Sequence, residues 1–206
     1  MQGNNSWSAV IVADTSGTYG PAGTGGAPTG LLALATADSP SNPPMSSLQL
    51  GIDIGLRTGN DVCVRWGSIG ASLLADICTT GAAIPTSAGP KTIMVSAKAN
   101  GSGYPTISIL VGSAGTVTQY GGISLATAAN GTSLGGLTKT CTSCAATPAV
   151  SAPYYWINWN PTNYGGSTNR AIGDIGVFSG AVPDNVLTDI YRTLKLDWAR
   201  VGRGTL

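Results

Sequence analysis

Short stretches in which apolar residues alternate with small or polar ones recur along the chain, and this period of two is typical of half-buried β-strands. The clearest pair is 91–99 and 106–112, which flank the turn-forming residues 100–103 and predict a β-hairpin. Further strands are predicted at 7–13, 31–37, 48–54, 62–66, 71–78, 117–120, 122–125, 154–159 and 172–178. Residues 15–30 and 39–47 are rich in Gly and Pro and predict two long loops, while 126–150 show no clear pattern.

After residue 178 the hydrophobic period changes to that of a helix. Pro183 suits the first helical turn, Asp184 favours the positive helix end, and Gly202 or Gly204 would end the helix. One apolar stripe runs through Leu187, Ile190, Leu194, Trp198 and Val201, and the cations in the C-terminal half are Arg192, Lys195, Arg200 and Arg203. The patterns together predict a single domain over residues 1–206, an all-β antiparallel β-sandwich (jelly roll) with one C-terminal α-helix at about 183–200.

Charge is scarce, since only 9% of the residues are charged and the net charge is +1. This balance supplies neither a basic surface for nucleic acid nor a polybasic patch for a membrane, so we expect neither partner. Hydrophobic residues make up 42% of the chain, which favours a folded core over general disorder.

All nine acidic residues are Asp, and the chain contains no Glu and no His. It therefore lacks the side chains most used for proton transfer, and no Ser–His–Asp relay can form. We expect no catalytic residues, no metal ligands and no cofactor. A calcium site would need distant Asp residues to converge. Asp174, alone in the last predicted strand, is expected to pair with the backbone or with an Arg such as Arg170.

The four cysteines allow two interpretations. Cys141 and Cys144 form a C-x-x-C motif, but a zinc site would need a second closely spaced pair, which Cys63 and Cys78 do not provide. Cys63 and Cys78 would face each other across a hairpin centred near residues 69–71. Disulfides are therefore possible for all four cysteines, and buried free thiols are the alternative.

The aromatic run 154–159 suggests a ligand site. Sugar sites often combine an aromatic platform with amide side chains, because rings pack on C–H faces while amides bond hydroxyl groups. Trp156, Asn158, Asn160 and Tyr164 are the residues that could form such a glycan site. The alternative is that both faces of this strand pack against other parts of the protein.

The hairpin at 91–112 and the strand–turn–helix segment at 171–196 resemble the laminin-G-like, or concanavalin A-like lectin/glucanase, jelly-roll superfamily, and most closely its phage members. The resemblance implies a β-sandwich closed by a helix, in a superfamily that contains lectins, hydrolases and structural modules. Its glucanases use a pair of Glu residues, which this chain lacks. The resemblance therefore favours a binding or building role.

These observations lead to one main functional expectation and two alternatives. We expect a non-enzymatic virion structural protein, either capsid decoration (cement) or a tail or fibre module of a phage, assembled in the host cytoplasm. No signal peptide and no transmembrane segment is predicted. The expected partners are other virion proteins or copies of itself, and a host-surface glycan is a further candidate. The alternatives are a carbohydrate-binding lectin module and, remotely, a glycoside hydrolase.

Overall fold

A computed structural model describes residues 6–15, 29–35, 50–57, 61–67, 74–81, 84, 89–99, 105–124, 130–141, 154–157, 172–204 and 206. These residues form an antiparallel β-sandwich with one C-terminal helix, so the predicted fold class is confirmed. The strands are β1 (Trp7–Asp14), β2 (Thr29–Ala35), β3 (Leu50–Arg57), β4 (Asp61–Gly67), β5 (Leu74–Thr79), β6 (Pro90–Ala99), β7 (Pro105–Ser113), β8 (Thr116–Ser124), β9 (Ser133–Leu134), β10 (Leu137–Cys141), β11 (Tyr154–Ile157) and β12 (Ile172–Phe178). The helix is α1 (Asp184–Arg200).

The strands form two sheets. One has five strands in the order β12-β1-β6-β7-β8, and the other has seven in the order β11-β2-β3-β4-β5-β10-β9. The predicted hairpin is β6–β7, in which Ser96 pairs with Ser108 and Ala99 with Pro105. β1 lies between β6 and β12, so strands from the beginning, middle and end of the sequence are neighbours.

The main core lies between the two sheets. The five-stranded sheet contributes every second residue of its central strands, for example Ile11, Ile93 and Ile109, and the seven-stranded sheet contributes residues such as Ile54 and Ile77. All of these side chains are fully buried. Burial of this apolar surface is the main stabilising contribution to the sandwich.

A second core forms where α1 packs on the outer face of the five-stranded sheet. Val10, Met94 and Leu110 from the sheet contact Leu187 and Tyr191 from the helix. Both faces of β1 and β6 are therefore covered, which explains why seven successive residues of each strand are buried. Strands covered on both faces need continuous apolar or small residues rather than strict alternation.

Local bonding defines both ends of the helix. Pro183 is the N-cap, with an extended ψ of 147°, and so precedes the first turn in which it was predicted. At the C-terminal end the Gly202 N–H bonds the Ala199 carbonyl and the Arg203 N–H bonds the Trp198 carbonyl. This is a Schellman motif, and Gly202 takes the left-handed conformation that it requires, with φ +72°.

Several predicted boundaries are corrected by the structure. Thr29 and Gly30, assigned to a loop, begin β2 instead, because the strand pairs with β3 from Thr29 onward. The two short strands predicted at 117–125 are the single strand β8, whose register shifts where Gly122 adopts φ +90°. Two strands, β9 and β10, lie within the unassigned range 126–150. Residues 16–28 and 39–47, from the predicted loops, lie outside the described residues.

The two-residue turn between β7 and β8 contains an unfavourable residue. Ala114 and Gly115 have φ values of +50° and +82°, the combination found in type I′ hairpin turns. Asn or Gly is preferred at the first of these positions because the left-handed region is costly for other residues.

Ala114→Asn is therefore expected to raise the free energy of unfolding by about 0.5–1 kcal/mol. Chemical denaturation of both proteins would measure the change, and Thr116→Asn, just outside the turn, is the matched control. If the Ala114→Asn protein is no more stable than the parent, the left-handed conformation of Ala114 does not destabilise the turn.

Candidate functional surfaces

A cleft of about 330 Å³ opens on the outer face of the five-stranded sheet, beside the N-terminal end of α1. Under the helix, the residues that pair across the strands are apolar: Val10, Met94 and Leu110. Two positions along each strand on the same face, the paired residues are Ser8, Ser96 and Ser108. Lys98 and Thr106, which are paired in the following row, continue the floor of the cleft. The change from apolar to hydroxyl side chains thus marks the place where the helix ceases to cover the sheet.

Two serines of this row hold the segment that leads into the helix. Ser8 Oγ donates to the Gly180 carbonyl at 3.1 Å and accepts from the Val182 N–H at 2.7 Å. Ser96 Oγ donates to the Val182 carbonyl at 2.9 Å. These bonds satisfy backbone groups between β12 and α1 and fix the wall of the cleft.

Asp184 lies at the edge of the cleft but serves as a structural acceptor. Ser108 Oγ donates to one carboxylate oxygen at 2.8 Å, and Gln119 Nε2 donates to the other at 2.6 Å. The carboxylate also lies in the first helical turn, where the helix dipole favours negative charge. Its hydrogen bonds join the helix to β7 and β8. The cleft is lined by hydroxyl groups and Lys98 together with the apolar surface of Ala181, Val182 and Pro183.

The predicted glycan residues are only partly covered by the described structure. Trp156 lies in β11, where it is paired with Ala33 at one edge of the seven-stranded sheet. Asn158, Asn160 and Tyr164 lie outside the described residues. The proposed combination of these four residues therefore stays a prediction.

A disulfide joins Cys63 of β4 to Cys78 of β5. The two cysteines are directly opposed in the register, and both are buried, with exposures of 0% and 4%. Cys141 is the last residue of β10, and Cys144 lies outside the described residues. A disulfide use of Cys141 and Cys144 therefore stays a prediction.

Asp174 binds groups near the C-terminal end of the helix. Trp198 Nε1 donates to its carboxylate at 2.5 Å, and the Arg203 guanidinium lies 3.6 Å from the same oxygen. The guanidinium also lies 5.6 Å from the centre of the Trp198 ring. Arg170, the partner suggested from the sequence, lies outside the described residues.

Two lysines are buried, which the sequence did not predict. Lys91 and Lys139 are 3% and 1% exposed, and Lys139 is paired with the core residue Ile77. Burial lowers the pKa of both amines below the ordinary value of 10.5, and Asp14 partly offsets the effect at Lys91. The cause is desolvation, which penalises the charged form of an amine.

The lowered pKa of Lys139 predicts that the stability of the folded protein depends on pH. Below pH 10.5 the unfolded chain holds this proton more tightly than the folded protein does, so stability rises with pH in the window between the lowered pKa and 10.5. We expect the native protein to gain stability over Lys139→Met in this window, by at most about 1.4 kcal/mol per pH unit. Tyr120 and Tyr191, whose pKa values burial raises, are unchanged in both proteins and cancel.

Urea denaturation of the two proteins from neutral pH to pH 10 would measure this difference. Lys98→Met, the same change at an exposed lysine, is the matched control. A constant stability difference between the native protein and Lys139→Met would contradict the predicted pKa shift.

The described residues, 6–15, 29–35, 50–57, 61–67, 74–81, 84, 89–99, 105–124, 130–141, 154–157, 172–204 and 206, meet neither the requirements of a metal site nor those of a membrane span. No group of three or more metal-ligating side chains occurs in that part of the chain. No helix there combines the length and the apolar character needed to cross a bilayer.

No protein-family model, no curated protein and no solved structure matches this chain. The resemblance to the laminin-G-like superfamily thus stays a prediction from the residues alone.

The residues around the cleft were not recognised in the sequence. Ser96, Ser108 and Gln119 lie on three different strands, and nothing in their spacing indicates a common position. The available signal was the change from apolar to hydroxyl residues along one face of a strand, as from Met94 to Ser96 and from Leu110 to Ser108.

Proposed function

We propose that this chain is a non-enzymatic structural protein of a virus particle, either a capsid decoration protein or a module of a tail or fibre. The observation that carries the proposal is that α1 covers the outer face of the five-stranded sheet and is hydrogen-bonded to it. Its central strands β1 and β6 are buried on both faces, and α1 is bonded to the sheet at both ends through Asp184 and Trp198. A rigid domain of this kind suits a building unit.

Two further observations favour the same role. The buried Cys63–Cys78 disulfide suits a protein that acts in an oxidising environment, as on the outside of a released particle. The carboxylate at the cleft is engaged in hydrogen bonds that hold the helix, which is a structural use of its charge.

Quantitative mass spectrometry of purified virus particles would test this proposal. We expect peptides of the chain in many copies per particle, and immunogold labelling would then place them on the capsid or on the tail. Either location would support the proposal. Absence of the chain from purified particles would overturn it.

A carbohydrate-binding role is the second candidate, and the position of Trp156 favours it. This residue lies in β11 at the end of the seven-stranded sheet, and aromatic residues at a sheet edge can provide a platform for a sugar ring. Binding on a glycan array that is lost in Trp156→Ala would support this role. Leu134→Ala, at an exposed apolar residue near the other end of that sheet, is the matched control. Absence of binding to any glycan would remove this candidate.

A further inference from the structure

The cleft beside α1 is lined by residues that the structure describes, and its shape suits a compact ligand. Its floor lies on β6 and β7, which are internal strands of the five-stranded sheet. A peptide cannot join the sheet here as a further strand, because that mode of binding needs an open edge. The volume of about 330 Å³ lies at the small end of the usual range for ligand pockets.

The cleft has opposite charges at its two ends. Asp184 lies at the helix end, where its carboxylate accepts from Ser108, which is paired with Ser96. Lys98 lies two positions beyond Ser96 along β6, on the same face of the sheet. The row of residues that Asp184 contacts is therefore about 7 Å from the row that contains Lys98. A ligand that lies across the cleft meets an acceptor at one end and a cation at the other.

The ammonium group of Lys98 is available to a ligand. Lys98 is exposed, and within the part of the chain that the structure describes it forms no ion pair. By contrast, Arg192, Arg200 and Arg203 each lie beside an aspartate carboxylate. A carboxylate of the ligand would form a charge-assisted hydrogen bond with Lys98. It would bind at this end of the cleft, since the negative charge of Asp184 would repel it at the other.

The polar groups between the two charges can still bond hydroxyl groups. Thr106 Oγ1 makes no hydrogen bond among the described residues. Ser108 Oγ uses its one proton in the bond to Asp184, but its oxygen can still accept. Each carboxylate oxygen of Asp184 accepts one side-chain bond and retains a second lone pair. A ligand hydroxyl group, which can both donate and accept, is complementary to this set.

The wall of the cleft supplies fixed apolar surface. The backbone of Val182 is held by Ser8 and Ser96, and the ring of Pro183 follows it directly. Such a wall can pack against the C–H groups of a ligand without first being ordered. On the β8 side the cleft is open, because a Cβ atom at Gly122 would meet nothing within 4 Å.

We propose that this cleft binds a sugar acid, a compact carboxylate that carries several hydroxyl groups. The carboxylate bonds the Lys98 ammonium, and the hydroxyl groups bond Thr106 and Asp184. The C–H groups of the ligand pack against Val182 and Pro183. Two sources offer this chemistry, a free open-chain acid and a uronic acid residue of a polysaccharide. The inference goes beyond the building role and does not depend on it.

NMR titration of the full chain with glucuronate, gluconate, glucose and acetate tests the site. We expect a sugar acid to shift the amide signals of the cleft residues and to bind at least about tenfold more tightly than glucose or acetate, because only the sugar acid engages both ends of the cleft. Tighter binding of glucuronate would indicate the polysaccharide source, and tighter binding of gluconate the free acid. Glucose or acetate bound as tightly as both acids, or no shift at the cleft, would overturn the proposal.

Two variants test the assigned contacts. Lys98→Met should weaken sugar-acid binding about tenfold, whereas Lys195→Met, the same change at a lysine of α1 outside the cleft, should not. Thr106→Val removes a hydroxyl group and keeps the branched shape, so it should weaken the binding of sugar acids and of glucose alike. Equal affinities of Lys98→Met and Lys195→Met for the sugar acid would overturn the proposal.

The cleft site can be separated from the glycan site suggested at Trp156, which lies in the other sheet. Trp156→Ala should leave sugar-acid binding unchanged. Loss of that binding in Trp156→Ala, with full binding in Lys98→Met, would place the ligand outside the cleft and overturn this proposal. Absence of the chain from purified particles would overturn only the building role.

Discussion

Tyr191→Ala is expected to lower the free energy of unfolding by about 3–5 kcal/mol, the range for removing a large buried aromatic side chain. The ring is 1% exposed and lies against Gly112, where a methyl group would approach its carbon atoms to 2.5 Å. Its hydroxyl accepts from the Gly115 N–H at 2.9 Å and donates to the Leu206 carbonyl at 3.1 Å. Alanine would therefore leave a cavity. It would also remove the hydroxyl group that joins the helix to the turn between β7 and β8 and to Leu206.

Chemical denaturation would measure this effect, and two further variants separate its parts. Tyr191→Phe keeps the ring and removes only the hydroxyl, so a loss of about 1–2 kcal/mol is expected. Leu196→Ala is the control on the same helix, because Leu196 is 72% exposed and should contribute little. Equal effects of Tyr191→Ala and Leu196→Ala would show that the helix does not pack as described.

The second large effect is expected at the disulfide. Replacing Cys63 and Cys78 together by alanine should lower the free energy of unfolding by about 3 kcal/mol, the chain-entropy value for a loop of this length. The loop is short because the two cysteines are separated by 15 positions in the sequence. The main physical reason is that the bond restricts the unfolded chain, which gains freedom when the link is removed.

Thiol alkylation followed by mass spectrometry would check the state of these cysteines before stability is compared. Because both sulfurs are buried, we expect the native protein to resist mild reductant and to be reduced only after unfolding. Labelling of Cys63 and Cys78 in the unreduced, denatured protein would show that the bond is absent.

The sequence was sufficient to predict the class of fold and several of its elements. The β6–β7 hairpin and α1 were recognisable because their apolar residues follow one clear period. The sequence also predicted that Cys63 and Cys78 lie opposite each other, because both strands of their hairpin could be predicted.

Other features depend on distant partners and left no local pattern. β10 carries Lys139 on a face that is buried, a placement opposed to the usual preference of lysine for water. The pairing of β1 with β12 joins residues more than 150 positions apart, as Ser8 with Phe178 shows. The hydrogen bonds of Asp184 likewise depend on β7 and β8, so its role could not be assigned from the helix alone.

The central place of β1 has a consequence for synthesis in the cell. This strand is made before both of its neighbours, since β6 begins at Pro90 and β12 begins at Ile172. The nascent chain must therefore keep one edge of this apolar strand unpaired until β12 has been made. Contacts between such distant residues slow folding, because a long loop must close before they form. We therefore expect folding to benefit from chaperones that shield β1 until β12 can pair with it.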